Sequence, residues 1–447
     1  MENKVKVSVI MPSLNVRDYI EAALESAINQ KLKEIEILCI DAGSTDGTWD
    51  IISDYSKKDG RIKALKSSIK SYGYQVNMGI EYATGEYIAI LETDDYVSEE
   101  MYNALYEQAQ KNELDYVKCD YYSYITEKNG HKKYSERHIC NDHFFYENIF
   151  RPSDYPNVMI EDWYLWNGIY KTQFIKNKGI KFSETAGAAF QDVGFLHRVS
   201  VVASKGMFFG EPLYYYCVDR EGASSNSNKA LIFIRQEYGI LENEIDENTI
   251  PSTLILLYRR MARSFLRACL ESSDELLKKQ EYSDICLWFK NVLANAERRG
   301  YISEADLPYG LIKAYYHLID SVDSFILYRR NRYEELLGFL KDNNVLVIFG
   351  CGSYGKEALH LVTSLGCKVY CFMDNSEKLW GESINNIKIL ASTHITELPQ
   401  NTSFIVANEK YADDIEKQIR GYRKKAKMFC FTSELVYTND YKNRRVH

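Results

Sequence analysis

Strand-like and helix-like patterns alternate over about the first hundred residues, and that alternation leaves few folds open to the chain. Val5, Val7, Val9 and Met11 take every second position, as in a strand, and the pattern stops at Pro12–Asn15. Ile20, Leu24, Ala27 and Ile28 then recur at helical spacing. Ile35–Ile40 is a short apolar strand that runs into Asp41-Ala42-Gly43-Ser44-Thr45-Asp46. A second helix carries Ile51, Ile52 and Tyr55. A third carries Val76, Ile80 and Ala83, and Gly85 follows it where a left-handed C-cap is preferred. Tyr87–Leu91 is the next strand and leads directly into Glu92-Thr93-Asp94-Asp95. A β-α-β-α-β order of this kind implies a mostly parallel sheet flanked by helices. In such sheets ligands bind beyond the carboxyl ends of the strands. Asn15, the Asp41–Asp46 loop and Asp94–Asp95 therefore converge on one cleft.

With 447 residues the chain is too long for a single core. The patterns divide it into an α/β region over 1–228, a helical region over 229–340 and a small Rossmann-like α/β domain over 341–447. The last begins with a strand at Val345–Phe349, the run Gly350-Cys351-Gly352-Ser353-Tyr354-Gly355 and a strand at Lys368–Phe372. Further strands are expected at Ser403–Ala407 and Lys427–Phe431. Gly350, Gly352 and Gly355 follow a strand and open a helix, and Asp374 lies about twenty residues on, as in a dinucleotide fingerprint. The alternative is a turn that only packs helix on strand. No Tyr-x-x-x-Lys pair follows, so a redox role is not expected.

The net charge of −8 argues against a nucleic-acid partner. Ten cysteines without paired spacing read as reduced thiols, and no apolar run is long enough for a bilayer span. The N-terminus lacks the apolar core of a signal peptide, so the expected location is cytoplasmic. Arg259, Arg263 and Arg267 lie four apart on one helix. That spacing gives a solvated basic face, or a peripheral contact with the inner face of a membrane. A homo-oligomer is left open.

Adjacent carboxylates at a strand end repel each other unless a cation neutralises them, and oxygen ligands suit Mn²⁺ or Mg²⁺. The competing reading of Asp94–Asp95 is a solvated turn. Val7-Ser8-Val9-Ile10-Met11-Pro12-Ser13-Leu14-Asn15, Asp41-Ala42-Gly43-Ser44-Thr45-Asp46-Gly47-Thr48, Asn77-Met78-Gly79-Ile80, Ala83-Thr84-Gly85-Glu86-Tyr87-Ile88 and Thr93-Asp94-Asp95 occur in this order. Together they resemble a family 2 glycosyltransferase over roughly the first 220 residues. Gln191-Asp192-Val193-Gly194-Phe195, after Trp166-Asn167-Gly168-Ile169-Tyr170-Lys171, resembles the family's later acidic element.

The resemblance implies a GT-A fold, a nucleotide-diphospho-sugar donor, a divalent metal and inversion at the anomeric carbon. It assigns Pro12, Leu14, Asn15, Asp41, Ala42, Ser44, Asp46, Asn77, Thr93, Asp94 and Arg220 to the donor. It also assigns Asp94 and Asp95 to Mn²⁺ or Mg²⁺, and Asp192 to the base. Glu161-Asp162 is the competing acidic pair. Ala42 replaces the family's usual Asp, which contacts the nucleotide base, and Gln191 replaces the usual Glu beside Asp192. A UDP-sugar is the expected donor. The expected acceptor is a glycan, a lipid-linked molecule or a protein in bacterial surface polysaccharide or glycoconjugate synthesis. A glycoside hydrolase and a catalytically altered nucleotide-sugar-binding or scaffold protein are the rival readings.

Overall fold

A computed structural model of the protein describes residues 4–126, 130–218, 229–307, 311–341, 345–408 and 411–436. The chain forms two compact units, Met1–Arg260 and Met261–His447.

In the first unit β1 (Val7–Ser13), α1 (Arg17–Ile28), β2 (Ile35–Asp41), α2 (Thr48–Lys58), β3 (Ile62–Lys66), α3 (Tyr72–Tyr82) and β4 (Tyr87–Ile90) follow the expected alternation. Every residue of β1 and β2 is buried, as strands covered on both faces must be. Val7, Val9 and Met11 join Ile20, Leu24 and Ala27 of α1 in one core, while Ile10 joins Val76 and Ile80 of α3 in another. The period of two along β1 thus places a helix on each side.

Gly85 does not take the expected left-handed cap. Ala83 caps α3 in an extended conformation, and a Cβ on Gly85 would stand 2.7 Å from the Ser8 nitrogen. Close approach of two backbones, not a turn, is what requires glycine there.

The sheet is mixed, with parallel pairs joined by antiparallel ones among the later strands. Beyond β5 (Tyr96–Val97) and α4 (Met101–Asn112) come β6 (Tyr116–Thr126), β7 (Lys132–Arg137), β8 (Gly168–Lys171) and β9 (Gly206–Cys217). The sheet order is β3-β2-β1-β4-β8-β6-β9-β5, with β7 paired to β6. Pairing is parallel from β3 to β4 and between β6 and β9, and antiparallel from β4 to β8, from β8 to β6 and between β6 and β7. β5 pairs antiparallel with β9, setting Tyr96 opposite Tyr215. Stacked aromatic rings hold this half together. Trp166 lies 4.1 Å from Tyr214 and Tyr96 lies 4.7 Å from Tyr215, centroid to centroid.

The helix Ala230–Asn243 buries Ile234, Tyr238 and Leu241 in the first unit, and Leu256 of the helix Pro251–Glu271 joins the α3-side core. The boundary expected at residue 228 therefore falls later, inside that second helix. Arg259, Arg263 and Arg267 do not form a uniformly solvated face, since Arg259 and Arg263 are partly buried and the exposed Arg267 pairs with Glu271 at 3.0 Å. No helix of the described residues is long and apolar enough to cross a membrane.

The second unit begins with helices Gln280–Arg298, Ile312–Asp320 and Val322–Leu340. β10 (Val345–Phe349), β11 (Val369–Asp374), β12 (Ser383–Ile384), β13 (Ile387–Ala391), β14 (Thr402–Val406) and β15 (Lys427–Cys430) follow. Their order is β12-β13-β11-β10-β14-β15, so the direction of winding reverses between β10 and β14. The helix Ser353–Ser364 opens against β10, and a Cβ on Gly355 would lie 2.0 Å from the Gly350 carbonyl oxygen.

Candidate active site

Parallel register brings the ends of β1 and β2 level, pairing Ser13 with Asp41. The buried Gln75 of α3 locks that edge by donating from Nε2 to the Ser13 carbonyl at 3.0 Å and the Ile40 carbonyl at 2.6 Å. The polar side chains expected at the donor mostly build the loops. Asp41 Oδ2 accepts from the Gly43 and Ser44 amides at 2.9 and 3.0 Å. Asn15, at φ 53°, accepts from the Thr45 amide through Oδ1 and donates its own N–H to Ser44 Oγ. Asp46 accepts from the Thr48 amide and hydroxyl through Oδ1 and from the Arg17 amide through Oδ2, fixing the starts of α2 and α1 together. Ala42 and Pro12 are buried, and Thr93 Oγ1 donates to the Pro12 carbonyl at 3.1 Å. Leu14, Asn15 and Thr45 are exposed, and they form the outer rim of this edge.

At the end of β4 the two adjacent aspartates separate. Asp95 is buried, its Oδ2 accepts from the Tyr214 hydroxyl at 2.9 Å, and its Oδ1 accepts from the Cys217 amide at 2.8 Å. Burial, and then the Asp94 charge, push its carboxyl well above the usual range. Asp95 thus anchors β9 through both of its carboxylate oxygens. Asp94 is only partly buried. Glu92, which the sequence reading left without a role, accepts from the Tyr72 hydroxyl at 2.5 Å. Burial and the fields of Glu92, Asp192 and Asp94 raise the Tyr72 hydroxyl well above its ordinary value. Tyr72 thus donates to one carboxylate and feels the charge of two more, and nothing in the sequence marked it.

Glu92 and Asp94 are hard oxygen donors of the kind that bind Mn²⁺ or Mg²⁺ with one or two carboxylates and complete the shell with substrate phosphates. Among the described residues no group of three or more His, Cys, Asp or Glu side chains is arranged to hold a metal alone. The donor set fits a metal shared with a diphosphate, not a closed protein cage.

Asp192 stands in the first turn of the helix Gln191–Val202, after Phe190 at φ 67°. Its Oδ1 accepts from the Val193 amide at 3.0 Å. Burial raises its pKa to about 6, against the opposing pull of backbone hydrogen bonds and of Arg260 and Lys118. Gln191 is buried and donates to Thr185 Oγ1 at 3.0 Å, so its neutral side chain anchors a loop. Gln191 adds no charge beside Asp192, and desolvation remains the largest influence on that carboxyl.

Asn77, which the resemblance assigns to the donor, is held by the segment at Phe182–Glu184. Its Nδ2 donates to the Phe182 carbonyl and Glu184 Oε1 and its Oδ1 accepts from the Phe182 amide, each at 2.8–2.9 Å. It ties α3 to that segment. Asp162 of the competing pair is buried against Lys118. Arg220 lies outside the described residues.

In the second unit Asp374 Oδ2 accepts from the Cys351 amide and Oδ1 from the Ser376 amide, both at 2.9 Å. Its carboxylate ties the turn after β10 to the turn after β11 through one amide of each.

Residues 8–176 match the family described as Glycosyl transferase family 2, and residues 342–428 match C2185-like, N-terminal. The glycosyltransferase GlyG of Streptococcus pneumoniae serotype 4 is 28% identical over 302 residues, which are 66% of this chain and 98% of GlyG. A second relative is WfaP of Escherichia coli, a UDP-Glc:alpha-D-GlcNAc-diphosphoundecaprenol beta-1,3-glucosyltransferase. It is 40% identical over 124 residues, covering 27% of this chain and 47% of that protein. Among solved structures, S. aureus TarS 1-349 in complex with UDP-GlcNAc superposes with a TM-score of 0.51 at 18% identity, over 73% of this chain and 92% of TarS 1-349. A parallel β1–β4 edge with polar loops and an acidic β4 end thus agree with the family match, and residues 8–176 form a Glycosyl transferase family 2 domain on a GT-A-like fold.

Proposed function

We propose that the protein is an inverting glycosyltransferase that takes a sugar from a UDP-sugar and uses Asp192 as the base. The observation that carries this reading is Tyr72, which donates to Glu92 and feels the charges of Asp94 and Asp192. Glu92 and Asp94 suit a metal-bound diphosphate, and Asp192 offers a carboxylate with a pKa of about 6. The loops at Asn15 and Asp41–Asp46 position the nucleotide. Asp94, with Glu92, would hold Mn²⁺ or Mg²⁺, which supplies charge neutralisation for the leaving diphosphate when bound. Asp192 takes the proton of the acceptor hydroxyl. The acceptor oxygen forms the new bond to the anomeric carbon from the opposite face. The bond from that carbon to the diphosphate oxygen breaks, and its electron pair leaves with UDP.

UDP as the carrier is supported by the UDP-GlcNAc bound to TarS and by the UDP-Glc in the name of WfaP. That name also favours a polyprenyl-diphosphate-linked sugar as acceptor, within surface polysaccharide synthesis. A thermal-shift screen of UDP-sugars with Mn²⁺ tests donor and metal together. The expected result is stabilisation by at least one UDP-sugar that EDTA abolishes. Equal melting temperatures for every UDP-sugar with and without Mn²⁺ would overturn the reading.

A further inference from the structure

Three cations border the loop Asp41–Asp46, and two of them are engaged within the fold. Arg17, which stands against Gly47, donates from Nη1 to the Asp46 carbonyl at 3.3 Å. Lys66, opposite Asp41 in the sheet register, sets its ammonium over the Trp49 ring, 4.4 Å from the centroid. Lys70 is exposed, and its ammonium has no hydrogen bond, ion pair or ring contact among the described residues. Its Cε lies 3.9 Å from the point where a Cβ on Gly43 would stand. Gly43 has φ 83°, a left-handed conformation that favours glycine, so the loop presents bare backbone to this side chain.

The chain on either side of Lys70 is pinned. The Ser67 amide donates to the Asp41 carbonyl at 2.8 Å, and Ser67 Oγ donates to the Ile69 carbonyl at 2.7 Å. The Gly187 amide donates to the Lys70 carbonyl at 3.1 Å, and the Tyr72 amide to the Gly187 carbonyl at 2.9 Å. The lysine is thus rooted beside the loop while its head stays in water.

Sheet order then fixes which part of a nucleotide it meets. Gly43 follows β2, Glu92 and Asp94 follow β4, and β1 runs between those two strands. Two strand spacings put about 10 Å between the two strand ends. A diphosphate held at Glu92 and Asp94 therefore leaves its nucleobase, the other end of the molecule, beside Gly43 and Lys70. The carboxylates of the loop are engaged in building it. Asp41 Oδ2 accepts from the Gly43 and Ser44 amides, and Asp46 accepts from the Thr48 and Arg17 amides. Ala42 adds only a buried methyl group.

We propose that Lys70 is a specificity-determining residue for the donor, its ammonium donating to a carbonyl oxygen of the nucleobase. The inference rests on the reading of the donor as a UDP-sugar. Uracil carries ring carbonyls that accept from a cation, and such charge-assisted hydrogen bonds are the strong ones. Adenine carries none, so the same contact selects against it.

The test compares wild type and K70M in their affinity for UDP with Mn²⁺ and for uridine, which has no phosphate, by ligand-observed NMR titration. K70M is expected to weaken both ligands by about tenfold, as loss of a hydrogen bond to a charged group implies. Lys70 is exposed, so K70M is expected to melt with the wild type; a merely structural role would move the melting temperature instead. Equal UDP affinity in K70M and wild type overturns the inference. So does a loss confined to UDP, because a contact with phosphate would spare uridine. Failure of the underlying reading is seen without any variant: the wild type then binds neither UDP nor uridine.

Discussion

The end of β4 and the turn between β10 and β11 look alike in the sequence, since each is an apolar strand that runs into acidic residues beside a helix start. In the fold they part company. At the β4 end Glu92 accepts from Tyr72, whose hydroxyl also feels the charges of Asp94 and Asp192, while Asp95 accepts from Tyr214 and the Cys217 amide. At the β11 end both oxygens of Asp374 are taken by the Cys351 and Ser376 amides. Asp95 and Asp374 each build the chain around them, whereas the strand end at Asp95 carries two further acids, Glu92 and Asp94, that the β11 end does not match.

The contrast can be broken at three points. The largest effect is expected for D192N and D94N, which should slow transfer by roughly 10²- to 10⁴-fold, the range of a lost general base or charge-stabilising group. Release of UDP measures it, and D374N should leave that rate unchanged. If D374N costs as much as D94N, the contrast fails.

D192N should also stabilise the protein while it inactivates it. The folded pKa of Asp192 is about 6, above the unfolded value of about 3.9. The folded state therefore binds the proton more tightly. Stability is lost as pH rises from about 4 to about 6, and an uncharged Asn escapes that loss. The melting temperature of D192N should exceed that of the wild type at pH 8 and converge on it at pH 4. An advantage that persists unchanged at pH 4 would show that ionisation is not its source.

A smaller effect belongs to the turn builder. D374A removes the acceptor of two amides, so exchange of the Cys351 and Ser376 N–H groups should quicken by about five- to tenfold, as ~1 kcal/mol implies. Unaltered exchange would mean that Asp374 does not hold the turn.

The alternation from Val5 to Leu91 was legible because each element buries one side of itself in a fixed rhythm, and β1 to β4 form with the expected order and parallel sense. The later half was not legible. β6 and β9 are rich in tyrosine, and their pairing joins residues such as Tyr116 and Gly206 that are far apart in the chain. Tyrosine abundance reads as composition until the rings of Tyr96, Tyr122 and Tyr215 are seen stacked across strands. Glu92 could have been found, since it stands inside the acidic run. Tyr72 and Gln75 carried no local sign, because what makes them matter is the partner each meets across the fold.

By itself the sequence determined the α/β class, the strand edge where polar residues collect, and the candidacy of Asp94 and Asp192. These follow from periodicity and from motif order, which are properties of neighbouring residues. Only the tertiary structure decided which carboxylate anchors a strand, which ties two turns together, and which asparagine is a tether. Hydrogen bonding and desolvation are set by atoms brought together from distant parts of the chain, and two aspartates side by side in the sequence can therefore end in opposite roles.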